Sequence, residues 1–235
     1  MRRRDILLTG LAAAVAPTAY TATPSPARAE PRPAVLELFT SQGCSSCPPA
    51  DALLGQLASQ PGIIALAWHV DYWNGLGWHD PYSTPTATER QRRYAAALHD
   101  EVYTPALVVN GARMVVGSDA AAVHAALGAV DGFAVNVTLR QDAATWVADI
   151  AAANQPVNAL LATYDPQHTT QIGAGENGGR KLTEYRIVRA VTPLGAWNGA
   201  ARRITLPAVA PGLGAALLVQ SEDLQVRGAA TLPPV

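Results

Sequence analysis

Cysteine, lysine and long apolar runs are all scarce in this chain. Two cysteines exclude a disulfide-dense scaffold and any four-cysteine zinc site. Lys181 is the single lysine, and 17 basic residues stand against 18 acidic ones. No basic tract supplies the footprint that a nucleic-acid binder needs. The one run apolar enough to concern a membrane lies near the N-terminus, which excludes a multi-span membrane protein. A Gly-x-Ser-x-Gly elbow is missing, which disfavours a serine hydrolase. The run Gly173–Arg180 lacks the Gly-Lys-Ser/Thr ending of a phosphate loop and leads into no helix. It reads as a flexible connection between strands, with Glu176 and Arg180 as a surface pair. What remains is a globular composition: 235 residues, 49% hydrophobic, with 19 glycines and 18 prolines.

Residues 1–29 read as an address. Arg2, Arg3 and Arg4 form a positive start, Ile6–Ala16 is apolar but too short to span a bilayer, and Ala27-Arg28-Ala29 fits a cleavage site. Arg3-Arg4-Asp5-Ile6-Leu7 also fits a twin-arginine signal. An exported protein, periplasmic or secreted and without a stable membrane anchor, is expected. Its compartment is oxidising, so a disulfide can persist there.

The remaining chain changes pattern near residue 134. Ala34–Thr40 and Ile63–Val70 are apolar runs of strand length. Ala50–Ser59 carries Leu53, Leu54 and Leu57 at helical spacing, and Thr88–His99 is a second helical pattern with Thr88 as its cap. Ala106–Asn110 and Met114–Gly117 flank Gly111 as a hairpin, and Asp119 caps a helix reaching Val130. The order β-α-β-α-β-β-α over residues 30–133 implies an α/β domain. Residues 134–235 hold short apolar runs at 134–139, 146–152, 157–164, 185–191, 204–206 and 216–220, separated by Gly and Pro. They predict an antiparallel β domain, sandwich-like in outline.

Cys44 and Cys47 carry the sharpest chemical signal. They stand between an apolar strand and a helix, at the end of the sheet where a helix N-terminus lies. The partial positive charge there favours a thiolate, which makes Cys44 a nucleophile. Cys47 then resolves the mixed disulfide. The alternatives are an inert bridge and metal capture. A bridge over so short a loop removes little entropy from the unfolded chain, which makes it a poor staple.

Tyr103-Thr104-Pro105 directly precedes the strand at Ala106. Together with Cys44-Ser45-Ser46-Cys47 and the element order, this resembles the thioredoxin fold. The resemblance implies a cis Thr104–Pro105 bond whose backbone positions an extended substrate beside the cysteines. More closely, the chain resembles an exported bacterial thioredoxin-like family of unknown function. The carrying segments are Leu38–Asp51, Trp68–Trp73, Gly77-Trp78, Asp80-Pro81, Arg90-Gln91, Val102–Pro105, Gly175–Arg180 and Leu194–Trp197.

Pro48 and Pro49 depart from an ordinary thioredoxin. Each disfavours helix in the residue before it and lacks an N–H, so the helix is expected to begin near Pro49. Glu37 and Asp51 are the acids near the cysteines and are proton-transfer candidates for Cys47. Strand alternation groups Glu37 with Phe39 and opposes Leu38, without saying which face meets the cysteines. Asp51 also suits the positive end of the helix. The aromatic-rich segment after the second strand offers Trp68, His69, Asp71, Tyr72 and Trp73 as a substrate platform, or as a local core that holds an irregular loop. Cys44, Cys47 and His69 or His79 make a metal set only on a minor reading.

Two functions follow from these residues. One is an exported thiol–disulfide oxidoreductase that needs no cofactor, with protein thiols or disulfides, or a small thiol, as partner. The other is a non-catalytic exported protein that binds a ligand or a metal such as copper on the same scaffold.

Overall fold

The computed structural model describes residues 32–143 and 145–232, which belong to one compact unit. The expected signal peptide lies outside them. The first half runs β1 (Ala34–Thr40), α1 (Pro48–Leu57), β2 (Ile63–His69), α2 (Pro85–Leu98), β3 (Ala106–Val109), β4 (Arg113–Val116) and α3 (Ala120–Gly128). β1 and β3 are buried throughout and β2 nearly so, which is why they read as unbroken apolar runs rather than alternating ones.

Local chemistry sets the helix starts. α1 begins one residue earlier than expected, at Pro48, with Cys47 as a helical N-cap at φ −78° and ψ −36°. A proline fits there because the first turn leaves its N–H groups unbonded in any case. α2 is capped by Thr84, not by Thr88: the Thr84 hydroxyl accepts from the Ala87 N–H at 3.1 Å. Thr88 is turned inward and donates to Asp71 at 2.5 Å. Asp119 caps α3 as expected, accepting from the Ala122 N–H at 3.0 Å.

The second half contains β5 (Val137–Asp142), β6 (Thr145–Ile150), β7 (Val157–Gln171), β8 (Lys181–Trp197), β9 (Arg202–Thr205), β10 (Gly214–Gln220) and β11 (Val226–Leu232). Three of these differ most from expectation. β7 and β8 are far longer than their apolar centres, because their ends are polar and paired with each other out to Gln171 and Lys181. β11 is built from small residues around Gly228 and carries no apolar alternation to announce it.

The mixed large sheet has the order β11-β10-β7-β8-β2-β1-β3-β4, and β5-β6-β9 form a second sheet. β8 joins β2 in parallel at Ala67 and Ile187. The strands after residue 134 thus continue the sheet of the first half. α1 and α3 cover one face through Leu54, Leu57, Val123 and Ala126 against Leu36, Leu38 and Leu107. α2 covers the other through Ala87 and Tyr94 against Phe39, Trp68 and Val108. Alternate residues of β7 and β10, among them Leu161 and Leu217, face Ala148 and Ile150 of the small sheet and make a third core.

Candidate functional site

Cys44 and Cys47 are joined as a disulfide, with their Cα atoms 5.4 Å apart. The loop between β1 and α1 turns tightly: the Cys44 N–H bonds the Ser41 carbonyl at 3.1 Å, and the Gly43 N–H bonds the Ser41 hydroxyl at 3.1 Å. Ser46 lies 3.3 Å from the Cys44 sulfur and donates to the Thr104 carbonyl at 3.5 Å. The Thr104–Pro105 bond is cis. The Trp73 indole donates to the Thr104 hydroxyl at 2.9 Å. The structure therefore gathers Cys44, Cys47, Trp73, Thr104 and Pro105 into one place.

The cysteines lie between β1 and α1 as expected, but closed to solvent. Both cysteines have no exposed surface. The connection between β7 and β8 lies over the backbone of their loop. Buried Asn177 donates its amide to the carbonyls of Gln42 and Cys44, at 2.9 Å each. Arg180 fixes that amide by donating to its oxygen at 2.7 Å. Glu176 does not pair with Arg180; its carboxylate accepts from the exposed Ser45 N–H at 3.2 Å. Gly175 holds a positive φ of 72° and backs onto Trp78, where an added Cβ would come within 3.0 Å. Sequence reasoning missed this cover. Its only signal was an asparagine and a glutamate set among glycines that free the backbone to reach the cysteine loop.

Glu37 is corrected too. It shares its face with Val35 and Phe39, toward α2, while Leu36 and Leu38 face α1. Its carboxylate is taken up by Arg90, with bonds of 2.5 and 2.9 Å, and by the Tyr94 hydroxyl. Both partners belong to α2. Asp51 is buried and faces inward rather than out at the helix end. Burial, then the nearby Glu184 carboxylate, pushes its pKa up to about 7.

Asp51 is buried among other polar side chains. His69 Nδ1 bonds Asp80 at 2.7 Å, and the other oxygen lone pairs of Asp80 Oδ2 receive the Gln42 N–H at 2.9 Å. Gln42 donates to Glu184 at 2.6 Å and accepts from Trp78 at 3.0 Å. His69 Nε2 and Glu184 Oε1 stand 3.8 Å apart. Burial opposes a charge on His69, but Asp80, that hydrogen bond and Glu184 outweigh it and hold its pKa at about 9. Burial raises Glu184 as well, against the pull of His69 and Gln42. Asp80 is lowered: burial works against its charge, and His69 with the two backbone N–H bonds prevails.

The aromatic segment divides. Trp68 is core, packed on Phe39 with Arg90 over its ring at 4.9 Å. His69 and Asp71 are spent on Asp80 and Thr88. Tyr72 stays partly exposed and donates to Gln91 at 3.2 Å. The residues of the minor metal set are otherwise placed: the cysteines are bonded to each other, His79 is exposed, and His69 turns to Asp80. Among the described residues no three His, Cys, Asp or Glu side chains are placed to hold an ion.

Residues 35–220 match the family described as protein of unknown function DUF1223. The chain belongs to that family. A solved structure of protein AGR_C_4864 from Agrobacterium tumefaciens, a structural-genomics target, is 33% identical, with a TM-score of 0.77 over 86% of this chain and 95% of the other. The solved structure of HBP35 of Porphyromonas gingivalis matches at 12% identity and a TM-score of 0.57, over 86% of this chain and 75% of the other, a likeness of fold alone. No curated protein matches significantly. The DUF1223 match extends through β8 and β10, so it includes the Asn177 cover and Glu184 as well as the cysteine loop.

Proposed function

We propose that this DUF1223 protein is an exported thiol–disulfide oxidoreductase with a thioredoxin-like first half. Cys44 is the nucleophile, Cys47 the resolving thiol, and the backbone at Thr104–Pro105 positions the partner. The observation that carries this reading is a disulfide spanning only two residues, at the start of a helix and within one serine of the Thr104 carbonyl. So small a loop restrains the unfolded chain little, so stapling does not account for it. Element order supports the thioredoxin likeness: β1 is parallel to β2 and antiparallel to β3, and β3 to β4. Because Cys44 is covered, exchange requires the β7–β8 connection to lift. The partner is a protein thiol or disulfide, or a small thiol. The address at residues 1–29 and an oxidising compartment fit this chemistry.

Burial of both sulfurs favours a second reading, a non-catalytic exported binding protein with a closed bridge. Its ligand site would be the groove of about 640 Å³ between α2 and the β7–β8 pair, lined by Trp68, Arg90, Leu160, Val191 and Pro193. Two measurements separate the readings. A Cys47→Ser chain should trap partners as mixed disulfides through Cys44. Titration against glutathione should give a potential above about −300 mV; a lower value marks a stable structural bridge.

A further inference from the structure

The groove between α2 and the β7–β8 pair opens where the strand ladder is broken. Pro193 of β8 has no N–H to give the ladder, and Gly195 holds a positive φ of 95°. The register slips beside them: Ala159 faces Gly195 and Leu160 faces Pro193, so Leu194 is left over as a bulge. A bulge bends its strand and interrupts the pairing. The groove of about 640 Å³ lies along this stretch, with Leu160, Val191, Pro193 and Ala196 on the strand side and Pro85 and Thr86 on the helix side. Its helix wall runs from Pro85 to Arg93, about 12 Å of helix, so the space is elongated. The apolar lining is aliphatic apart from Trp68, which suits a hydrocarbon chain better than a stacked ring.

Trp68 forms part of the groove wall although only 1% of it is exposed. Its indole N–H is buried and has no acceptor among the described residues. A buried donor without an acceptor is rare in a folded protein, so an acceptor belongs beside it. A side cavity of about 70 Å³ shares Trp68, Thr86 and Val191 with the groove and leaves room for one. The charges nearby say what kind of acceptor fits. Arg90, stacked over the Trp68 ring, is bonded twice to Glu37, so the two together carry no net charge. Glu89 and Arg93 line the groove four residues apart on α2 with opposite signs. Arg189 of the side cavity is exposed and lies over the Tyr82 ring. The groove therefore offers no surplus charge to hold an ionised head.

We propose that this groove binds a neutral acyl compound, with its hydrocarbon chain along Leu160, Val191 and Pro193 and an ester carbonyl accepting from the Trp68 indole N–H. This rests on the groove that the binding reading above singles out and adds the chemical class of its ligand. It involves neither Cys44 nor Cys47, so it holds whether or not the disulfide exchanges with a partner. Affinity comes from the apolar chain, at about three- to fourfold per buried methylene. The indole N–H selects for an acceptor at the head, and the balanced charges select against an ionised one.

The test titrates the oxidised full chain with methyl octanoate, methyl decanoate, decanoate and decylamine by calorimetry, each below its aggregation limit. Both esters should bind one per chain, methyl decanoate about tenfold tighter for its two extra methylenes. Decanoate should bind about tenfold weaker than its ester. Decylamine, whose ammonium accepts no hydrogen bond, should not bind. Trp68→Phe keeps a ring but loses the N–H and should weaken methyl decanoate about fivefold. Ala196→Trp fills the groove from an exposed strand position and should abolish binding. That variant keeps the test open should Trp68→Phe, in the core, fail to fold. The proposal is overturned if neither ester binds saturably, if decylamine binds as well as the ester, if decanoate binds tighter than its ester, or if binding survives Ala196→Trp. The Cys47→Ser trap tests the redox reading separately, so either can fall alone.

Discussion

Single side chains decide most of the electrostatics here. Glu37 and Arg90 form a buried ion pair at 2.5 Å, closed by Tyr94 and by Gln220, which accepts from Arg90 at 3.0 Å. Removing one partner strands a buried charge, so Arg90→Leu or Glu37→Gln should each cost about 3–5 kcal/mol in urea unfolding. Asp51 and His69 make stability depend on pH. Asp51 is lifted from 3.8 to about 7, so the folded chain binds the extra proton between those values and loses stability as pH rises through them. His69 is lifted from 6.5 to about 9; its contribution is complete below 6.5 and is lost as pH rises through about 9. The melting temperature of the oxidised chain should therefore fall from neutral to alkaline pH. Asp51→Asn, which cannot ionise, should melt higher than the parent at pH ~8 and lose the part of the pH dependence that falls between 3.8 and about 7.

At the scale of elements, the β7–β8 connection is tied to the loop that carries the disulfide. Its hold is concentrated in Asn177, whose two 2.9 Å bonds reach the backbone on either side of Gly43. Asn177→Ala frees both carbonyls and loosens the cover. Reduction of the bridge by dithiothreitol, followed by alkylation, should quicken about tenfold or more, since each lost bond is worth about 1 kcal/mol. An unchanged rate would mean that access is governed elsewhere, for example by Trp73 against Gly43. Gly55 is a second element-scale constraint. Gly55→Ala drives a methyl into the Tyr185 ring and should push α1 off β8, which a fall in melting temperature of several degrees would report.

For the whole molecule, the large sheet runs through both halves of the sequence. β8 flanks β2, and α1 rests on β8 through Gly55. A chain ending at residue 133 would expose the β2 edge and lose Glu184, Asn177 and the core around Leu160 and Leu218. Such a fragment should show no cooperative thermal transition by circular dichroism, whereas a cooperative one would show that the first half folds alone.

The sequence by itself determined the local order. Continuous apolar runs marked β1, β2 and β3, capping chemistry marked α3, and the Cys44–Cys47 spacing before a helix marked the site. These depend on neighbours a few residues away, which a sequence displays. Tertiary structure alone decided that Glu37 turns to Arg90, that Asp51 meets Glu184 across 133 positions, and that Asn177 closes over Cys44. Those contacts arise where β8 lies against β2 and α1. Register and facing are set there by long-range packing, and no local pattern carries that information.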